Sequence, residues 1–315
     1  MQDNNFKSNQ MKHIDVIIAS SRLPFLVLAP VCILLALVSI EYSFDVFKPF
    51  LSFIILLGAV SAHISVNLFN EYLDFKSGLD FKTNKTPFSG GSGSLLIQPD
   101  SFRCVLVAAI VTLLITSFCG LYLLSVSFVI FDTFNSSLLW IGLLGVLIVL
   151  LYTGPINRHP WLCFISPGLG FGFLMVYGAS SAILGRLPLE LFPASLLLFL
   201  LVNNLLLLNQ LPDIEADASI GRKHLWIVKG RNFAFNVYLF TTLLIPLLFL
   251  VSILCKLWPV LSALALLPWC LTLFSWWGAK KQGLTINKQP KFLAMNVMAT
   301  LGVPVVLSIV LCIYA

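Results

Sequence analysis

Long runs of apolar residues dominate this sequence and restrict the environment in which it can fold. Of its 315 residues, 59% are hydrophobic and 10% are charged, whereas soluble domains carry about 25% charged residues. A helix that crosses a bilayer core of about 30 Å needs about 20 apolar residues. Nine runs meet or approach that length: 23–42, 49–70, 104–131, 136–153, 162–185, 191–211, 232–254, 258–278 and 292–314. We therefore predict an all-α integral membrane protein, a bundle of nine transmembrane helices forming one domain over residues 1–315.

The basic residues predict how this bundle is oriented. With nine spans, 16 of the 19 Lys and Arg residues fall on one side of the membrane. That side comprises residues 1–22 and the loops 71–103, 154–161, 212–231 and 279–291. Only Lys48, Arg186 and Lys256 fall on the other side. Because cytoplasmic loops carry the excess of Lys and Arg, we expect the N-terminal segment 1–22 and these four loops to be cytoplasmic and the C-terminus to be outside. A multi-pass protein of a bacterial inner membrane is the expected setting.

Carboxylates are rare and concentrated in two places. Six of the 13 acids lie in residues 67–80 and 209–217, each stretch closing an apolar run on the predicted cytoplasmic side. Asn70 and Asp74 have the same spacing as Asn209 and Asp213. Since a helix turns about 100° per residue, each stretch places its oxygen-bearing side chains on one face. That face should point into the bundle, because a carboxylate facing lipid costs about 3 kcal/mol.

The residue types in these stretches indicate a site for a divalent cation and a diphosphate. Carboxylate and amide oxygens suit Mg²⁺, which is usually shared between a few carboxylates and substrate phosphates, and the chain offers no soft Cys/His set of the kind that zinc prefers. Arg222 and Lys223 follow Asp217, and Arg158 lies in the short loop after Tyr152. Such bases supply the charge-assisted hydrogen bonds that diphosphate oxygens require.

At these residues the sequence resembles the UbiA superfamily of intramembrane prenyltransferases, over essentially the whole chain. The first Asp-rich motif of that family corresponds to Asn70, Glu71 and Asp74, with Gly78 in place of its last acid and Asp80 two residues further on. The second corresponds to Asp213 and Asp217, followed by Gly221, Arg222 and Lys223. The form of the first motif, and the YTGP at residues 152–155, resemble the branch that prenylates 1,4-dihydroxy-2-naphthoate for menaquinone. Phe171 stands where that branch commonly carries an acid.

The resemblance implies a nine-helix fold and Mg²⁺-dependent ionisation of an allylic prenyl diphosphate, followed by attack of an aromatic acceptor. In this scheme Mg²⁺ is held by Asn70, Asp74, Asp213 and Asp217, of which Asp74 and Asp213 count as catalytic. The remaining expected roles are substrate binding by Asn67, Tyr152, Arg158, Asn209, Arg222 and Lys223, and proton removal by Glu71 or Asp80. The expected partners are the prenyl diphosphate, the aromatic acceptor and membrane lipid, with no nucleic acid and no obligate protein partner.

Several alternatives stay open on the sequence. The acceptor could be 4-hydroxybenzoate or a similar ring instead of the naphthoate. A secondary transporter would also carry acids in membrane helices, although its acids are expected near mid-helix breaks. A phosphotransferase of the CDP-alcohol type would pair Asp motifs with Mg²⁺, but its DGxxAR…GxxxD pattern is absent from the sequence. A non-catalytic member of the fold is the remaining alternative.

Overall fold

The computed structural model describes residues 12–83 and 90–315, and within these ranges the chain is helical with short connections and no strand. Residues 1–11 of the predicted N-terminal segment lie outside the described residues. A short helix α1, His13–Ser20, precedes the apolar helices. These are α2 (Leu28–Phe44), α3 (Pro49–Ser77), α4 (Phe102–Phe131), α5 (Ser136–Leu151), α6 (Pro160–Leu184), α7 (Phe192–Asn209), α8 (Arg231–Leu254), α9 (Leu266–Gln282) and α10 (Lys291–Tyr314).

The predicted all-helical membrane fold is confirmed, while the number of spans is only partly tested. Eight helices of the described ranges, counted with their adjoining turns, are long and apolar enough to cross a membrane. The ninth apolar helix, α5, has 16 residues and falls short of that length. A count of nine spans therefore stays a prediction, as does the single-domain organisation.

Helix α7 is the centre of the bundle. Of the most apolar stretch of the span Leu189–Ser219, 78% is buried inside the protein. Helix α7 packs against α6, α8, α10 and α2, while α10 packs against α2 and closes the bundle. Helices α3 and α4 pack along each other. In the span that contains α4, only 17% of the most apolar stretch is buried inside the protein. Helix α4 is thus at the periphery and presents a large face to lipid.

Helix α6 packs very closely against α7 at one point. Its middle is a wider π-helical turn, Leu169–Leu174, and Pro167 lies just before it. A side-chain carbon at Gly168 would lie 2.4 Å from the carbonyl oxygen of Phe199 in α7, so only glycine fits there. The backbone N–H of Gly168 donates to Asn203 Oδ1 at 2.6 Å. Small residues allow this kind of contact between membrane helices.

The end of α7 differs from a continuous helix because of Pro212. Proline lacks the N–H that a helix interior uses, and its ring clashes with the carbonyl four residues earlier. Helix α7 accordingly ends at Asn209, a single 3₁₀ turn spans Leu211–Asp213, and a short helix spans Ile214–Ser219. The second acidic stretch is therefore a bent segment at the helix end.

Candidate active site

A cavity of about 570 Å³ lies between α3, α4, α5, α6 and α7. Its deeper walls are apolar, and its polar end lies where α3 and α7 terminate. Leu121 of α4 and Leu143 of α5 line it although their side chains are 59% and 45% exposed. The cavity therefore opens sideways between α4 and α5, toward the surface that faces lipid.

Most of the residues predicted for the site meet at the polar end of this cavity. Asp74 lies in the last turn of α3, and Asp213 and Asp217 follow the end of α7. The acids are thus at helix ends, which argues against the mid-helix arrangement expected of a transporter. The predicted residues that line the cavity are Asn67, Asn70, Asp74, Asp80, Tyr152, Asn209, Asp213, Asp217 and Arg222.

Arg222 joins the two acidic motifs. Its Nη2 hydrogen-bonds to Asp74 Oδ1, and its Nη1 donates to Asp217 Oδ1 at 2.8 Å. Burial alone would lower the pKa of the Arg222 guanidinium, but Asp74 and Asp217 outweigh burial and raise that pKa. The guanidinium therefore stays charged at any physiological pH, and it compensates two carboxylates that would otherwise repel each other.

His224 is a neighbour of this bridge that the sequence analysis missed. Its side chain is 2% exposed and lines the cavity, with Nε2 at 3.2 Å from Asp217 Oδ2. Its position directly after Arg222 and Lys223 was the available signal. His224 thus contacts one carboxylate oxygen of Asp217, and Arg222 contacts the other.

The two asparagines of the first motif are fixed by neighbouring segments. Asn70 Oδ1 accepts a hydrogen bond from Thr153 Oγ1 at 2.8 Å, and Asn67 Nδ2 donates to the carbonyl of Ser21 at 3.1 Å. The first contact ties α3 to the loop after α5, and the second ties α3 to the turn after α1. Both side chains are therefore held facing the cavity.

Glu71 is fully buried but does not line the cavity. Its carboxylate accepts hydrogen bonds from the backbone N–H of Ser92 at 3.0 Å and of Gly93 at 3.2 Å, and also from Ser92 Oγ. Arg22 Nη2 lies 3.7 Å from Glu71 Oε2. Glu71 thus anchors the glycine-rich loop at 90–93 across the end of α3, which leaves it poorly placed to take a proton from a substrate.

Arg22 is the most important residue that the sequence analysis missed. It lines the cavity, and its Nε is buried without a hydrogen-bond partner among the described residues. Its backbone has φ +55°, in the left-handed region that residues other than glycine rarely adopt. Such strain at a cavity wall is typical of a functional position. The sequence offers one signal, the placement of Arg22 directly before the first apolar run, but a base at that position by itself predicts only the orientation of the helix.

Arg158 and Lys223, by contrast, are exposed and do not line the cavity. Arg158 ends the 3₁₀ turn Ile156–Arg158, whose other two residues are buried, so its side chain faces outward. The backbone N–H of Lys223 donates to the carbonyl of Asn157 at 2.8 Å, while its side chain is at the surface. The structure therefore does not bring these two predicted substrate-binding residues to the site.

The donor set at the polar end fits a hard cation. Asn209 Oδ1 and Asp213 Oδ1 are buried and have no hydrogen-bond partner within the described residues. Over the same residues, no group of three or more His, Cys, Asp and Glu side chains is close enough to hold a metal, so asparagine oxygens would be needed to complete a ligand set. Unpaired amide and carboxylate oxygens are the ligands that Mg²⁺ accepts while it keeps several waters.

Comparison with known proteins agrees with this arrangement. The UbiA prenyltransferase family matches residues 27–297. The chain belongs to this family. UbiA membership, which the sequence analysis predicted, is therefore confirmed. The 1,4-dihydroxy-2-naphthoate octaprenyltransferase of Bacillus subtilis (strain 168) is 32% identical over 176 residues, which are 54% of this chain and 51% of that relative. The match thus spans about half the length of the relative.

Solved structures show the same UbiA fold. A UbiA homologue from Archaeoglobus fulgidus bound to DMAPP and Mg²⁺ has a TM-score of 0.62 and 15% identity, over 95% of this chain and 100% of that chain. The apo UbiA homologue from Aeropyrum pernix K1 has a TM-score of 0.64 and 17% identity, over 94% and 98%. A digeranylgeranylglyceryl phosphate synthase has a TM-score of 0.65 and 12% identity, over 96% and 99%.

Proposed function

We propose that this protein transfers a prenyl group from an allylic prenyl diphosphate to an aromatic acceptor in a Mg²⁺-dependent reaction, with 1,4-dihydroxy-2-naphthoate as the expected acceptor. One observation carries the proposal: both acidic motifs and two arginines meet at the polar end of a long apolar cavity that opens to lipid. A prenyl diphosphate has a matching shape, with an anionic head and an apolar tail.

The head of the donor is assigned to the residues around Arg222. Arg22 and Arg222 would donate charge-assisted hydrogen bonds to the diphosphate oxygens. Asn70, Asp74, Asp213 and Asp217 would hold the metal, with Asn209 beside them. When bound there, Mg²⁺ neutralises the negative charge that builds on the leaving diphosphate. The UbiA homologue from Archaeoglobus fulgidus is bound to DMAPP and Mg²⁺, which supports an allylic diphosphate and Mg²⁺ as the ligands proposed for this chain.

The chemistry proceeds at the boundary between the polar end and the apolar walls. The bond between the first prenyl carbon and the diphosphate oxygen breaks, and its electron pair leaves with the diphosphate. The allylic carbon then bonds to an electron-rich ring carbon of the acceptor, which afterwards gives up its proton. Apolar walls exclude water from the allylic cation, and aromatic faces such as those of Tyr152 and Phe171, which line the cavity, stabilise its charge.

Asp80 is the better candidate for the base that receives the ring proton. Asp80 lines the cavity, whereas Glu71 does not. We assign Glu71 the role of holding the loop at 90–93 in place. Both acids lie in the same acidic stretch of the sequence, so the sequence does not distinguish them. The choice between them therefore depends on their surroundings in the structure.

The acceptor is assigned from similarity. The relative from Bacillus subtilis is named for 1,4-dihydroxy-2-naphthoate, and YTGP at residues 152–155 agrees with that branch. Phe171 packs edge-on against His63, with ring centroids 4.9 Å apart, where the branch commonly carries an acid. An acceptor such as 4-hydroxybenzoate therefore remains the second candidate. We further propose that the site faces the cytoplasm, with the N-terminus inside.

The test is an assay of the purified protein in lipid nanodiscs with labelled prenyl diphosphate and a panel of acceptors. We expect Mg²⁺-dependent diphosphate release and a prenylated naphthoate, with both lost in Asp74→Ala and in Asp213→Ala. Asp100→Ala is the matched control, because Asp100 is an exposed acid outside the cavity. Diphosphate release that survives either motif variant contradicts the proposal, and a product formed only with 4-hydroxybenzoate reassigns the acceptor.

A further inference from the structure

The C-terminal third of the chain has an unusual charge distribution. After Asp217 the sequence contains nine Lys and Arg residues and no Asp or Glu. Five of them form what we call the basic rim, at the ends of α8, α9 and α10 on the face that carries the acidic motifs. All five are exposed, and none forms an ion pair with a described residue; they are Arg231, Lys280, Lys281, Lys288 and Lys291. Carboxylates of the described residues therefore do not neutralise this positive surface.

Two members of the basic rim converge on a recess of about 380 Å³ between the start of α8 and the end of α9. It is lined by Arg231, Asn232, Phe235, Lys280 and Gly283. Gly283 has no side chain, and a carbon added there would lie 3.3 Å from Arg231 Nη1. Because residue 283 is a glycine, the guanidinium of Arg231 has room to lie against the end of α9, in the same recess as Lys280. A guanidinium, an ammonium and an amide around one recess are donors suited to a phosphate group.

The surroundings of the recess place it at the level of the lipid headgroups. Trp276 Nε1 donates to the carbonyl of Phe235 at 3.0 Å, and Lys280 Nζ lies 5.0 Å from the centre of the Trp276 ring. Lys281 Nζ lies 5.3 Å from the centre of the Trp277 ring, and Trp277 is 56% exposed. Tryptophans and lysines with apolar stems are typical of the membrane–water interface. The recess is thus reachable from the bilayer as well as from water.

We propose that this recess binds the phosphate group of an anionic phospholipid, such as phosphatidylglycerol. Positive residues next to membrane helices attract anionic lipids on the cytoplasmic side, and basic pockets between helices bind their headgroups. Phe235, which is almost fully buried, provides an apolar floor against which the glycerol part of the lipid can pack. Two bases of the rim, Arg231 and Lys280, would then bind lipid in addition to orienting the chain in the membrane.

The recess adjoins the candidate active site. The 3₁₀ segment Gly283–Lys288, which begins at the recess, packs against Leu211–Asp213. A headgroup bound to Arg231 and Lys280 would therefore contact a segment that supports the turn carrying Asp213. The proposal concerns binding and stands whether or not the chain has the proposed transferase activity.

The experiment measures lipid selectivity by quenching of tryptophan fluorescence. The full chain is reconstituted in vesicles of phosphatidylcholine that contain brominated phosphatidylglycerol or brominated phosphatidylcholine, and the relative binding constant is obtained by competition. The recess variant is Arg231→Gln with Lys280→Gln. The control is Lys281→Gln with Lys288→Gln, which removes the same charge from the same face outside the recess. Equal melting temperatures verify that each variant is folded.

We expect the recess variant to lose the preference for phosphatidylglycerol about tenfold, because it removes two charge-assisted donors that line the recess, and the control, whose lysines lie outside the recess, to change it less than about threefold. Equal losses in both variants would mean diffuse attraction only and would overturn the proposal. A separate arm adds inorganic phosphate to vesicles with phosphatidylglycerol. Full displacement of the lipid by millimolar phosphate would reassign the recess to a soluble phosphate and also overturn it, whereas retained selectivity supports the lipid.

Discussion

Arg222 and Asp74 are 148 positions apart in the chain and hydrogen-bond to each other at the polar end of the cavity. Both side chains are largely buried, and the same guanidinium also binds Asp217. The bridge therefore draws the end of α3 to the segment after α7. The bridge neutralises two of the carboxylates that we assign to the metal, and it leaves Arg222 next to the position assigned to the diphosphate.

Replacing Arg222 should damage the reaction far more than replacing its neighbour. Arg222→Gln removes a fixed positive charge from the diphosphate position and leaves Asp74 and Asp217 uncompensated. We expect kcat/KM for the prenyl diphosphate to fall about 100-fold or more, as when a donor to a developing negative charge is removed. Steady-state kinetics in nanodiscs measure this effect. Lys223→Gln, which removes one charge from an exposed side chain, is the matched control, and an equal loss in that variant would show that only net charge matters.

A second prediction separates Arg22 from Arg158. Arg22 lines the cavity and Arg158 is exposed outside it, although the sequence analysis favoured Arg158. We expect Arg22→Gln to raise KM for the prenyl diphosphate about tenfold or more, because one charge-assisted hydrogen bond contributes about 1.5–3 kcal/mol. Arg158→Gln should change KM less than about twofold. The reverse order of effects would restore the assignment made from the sequence.

The sequence predicted that the two motifs converge, but it did not predict all the basic residues that surround them. Asn70 with Asp74, and Asn209 with Asp213, have matched spacings at the ends of apolar runs, and both pairs do line one cavity. That inference depended only on helix periodicity and on the cost of exposing carboxylates to lipid. Arg22 could not be found in this way, because its side chain reaches the cavity through a left-handed turn between α1 and α2.

For Lys223 and Glu71 the sequence predicted a place in the site, because each directly follows another predicted site residue, but neither residue lines the cavity. Lys223 directly follows Arg222, yet its backbone bonds to Asn157 and its side chain faces outward. Glu71 directly follows Asn70, yet a loop that returns 21 residues later engages its carboxylate. Both outcomes depend on loop conformations that neither composition nor periodicity encodes.

The loop at 90–93 provides a third prediction, in which Glu71 acts as a positioning residue. Glu71→Gln replaces an acceptor oxygen by a donor that faces the N–H groups of Ser92 and Gly93, and Ser92→Ala removes the hydroxyl partner. We expect each variant to lower kcat/KM about tenfold, and the double variant to be little worse than either, because residues in one hydrogen-bond network are not additive. If Glu71 were the base, Glu71→Gln would lower kcat alone and Ser92→Ala would have little effect.

Gly91 in the same loop permits a matching test. It has φ +72°, and a carbon added there would lie 3.1 Å from Asp80 Oδ1 and 3.3 Å from Glu71 Oε2. Gly91→Ala should therefore displace the loop and raise KM for the donor about tenfold, since alanine is strained at positive φ and two carboxylates crowd its methyl group. Gly230→Ala, which has a similar φ of +80° but open space around the added carbon and lies outside the cavity, is the control for backbone strain alone. Kinetics indistinguishable from wild type for Gly91→Ala would mean that the loop does not shape the site.

The apolar part of the cavity leads to the last prediction, which concerns the length of the prenyl chain. Gly120 of α4 lines the cavity, and a carbon added at Gly120 meets nothing within 4 Å, so a larger side chain can extend into the open space. Gly120→Phe should fill the lateral part of the cavity and lower kcat/KM for an octaprenyl diphosphate about tenfold or more, while a geranyl diphosphate, which ends before the obstruction, should react nearly as in the wild type. The measurement is the ratio of kcat/KM for the two donors on the same preparation. A general loss of folded enzyme lowers both values by the same factor and leaves this ratio unchanged. An unchanged ratio would place the long chain elsewhere, because a tail lying between α4 and α5 cannot avoid a phenyl ring at residue 120.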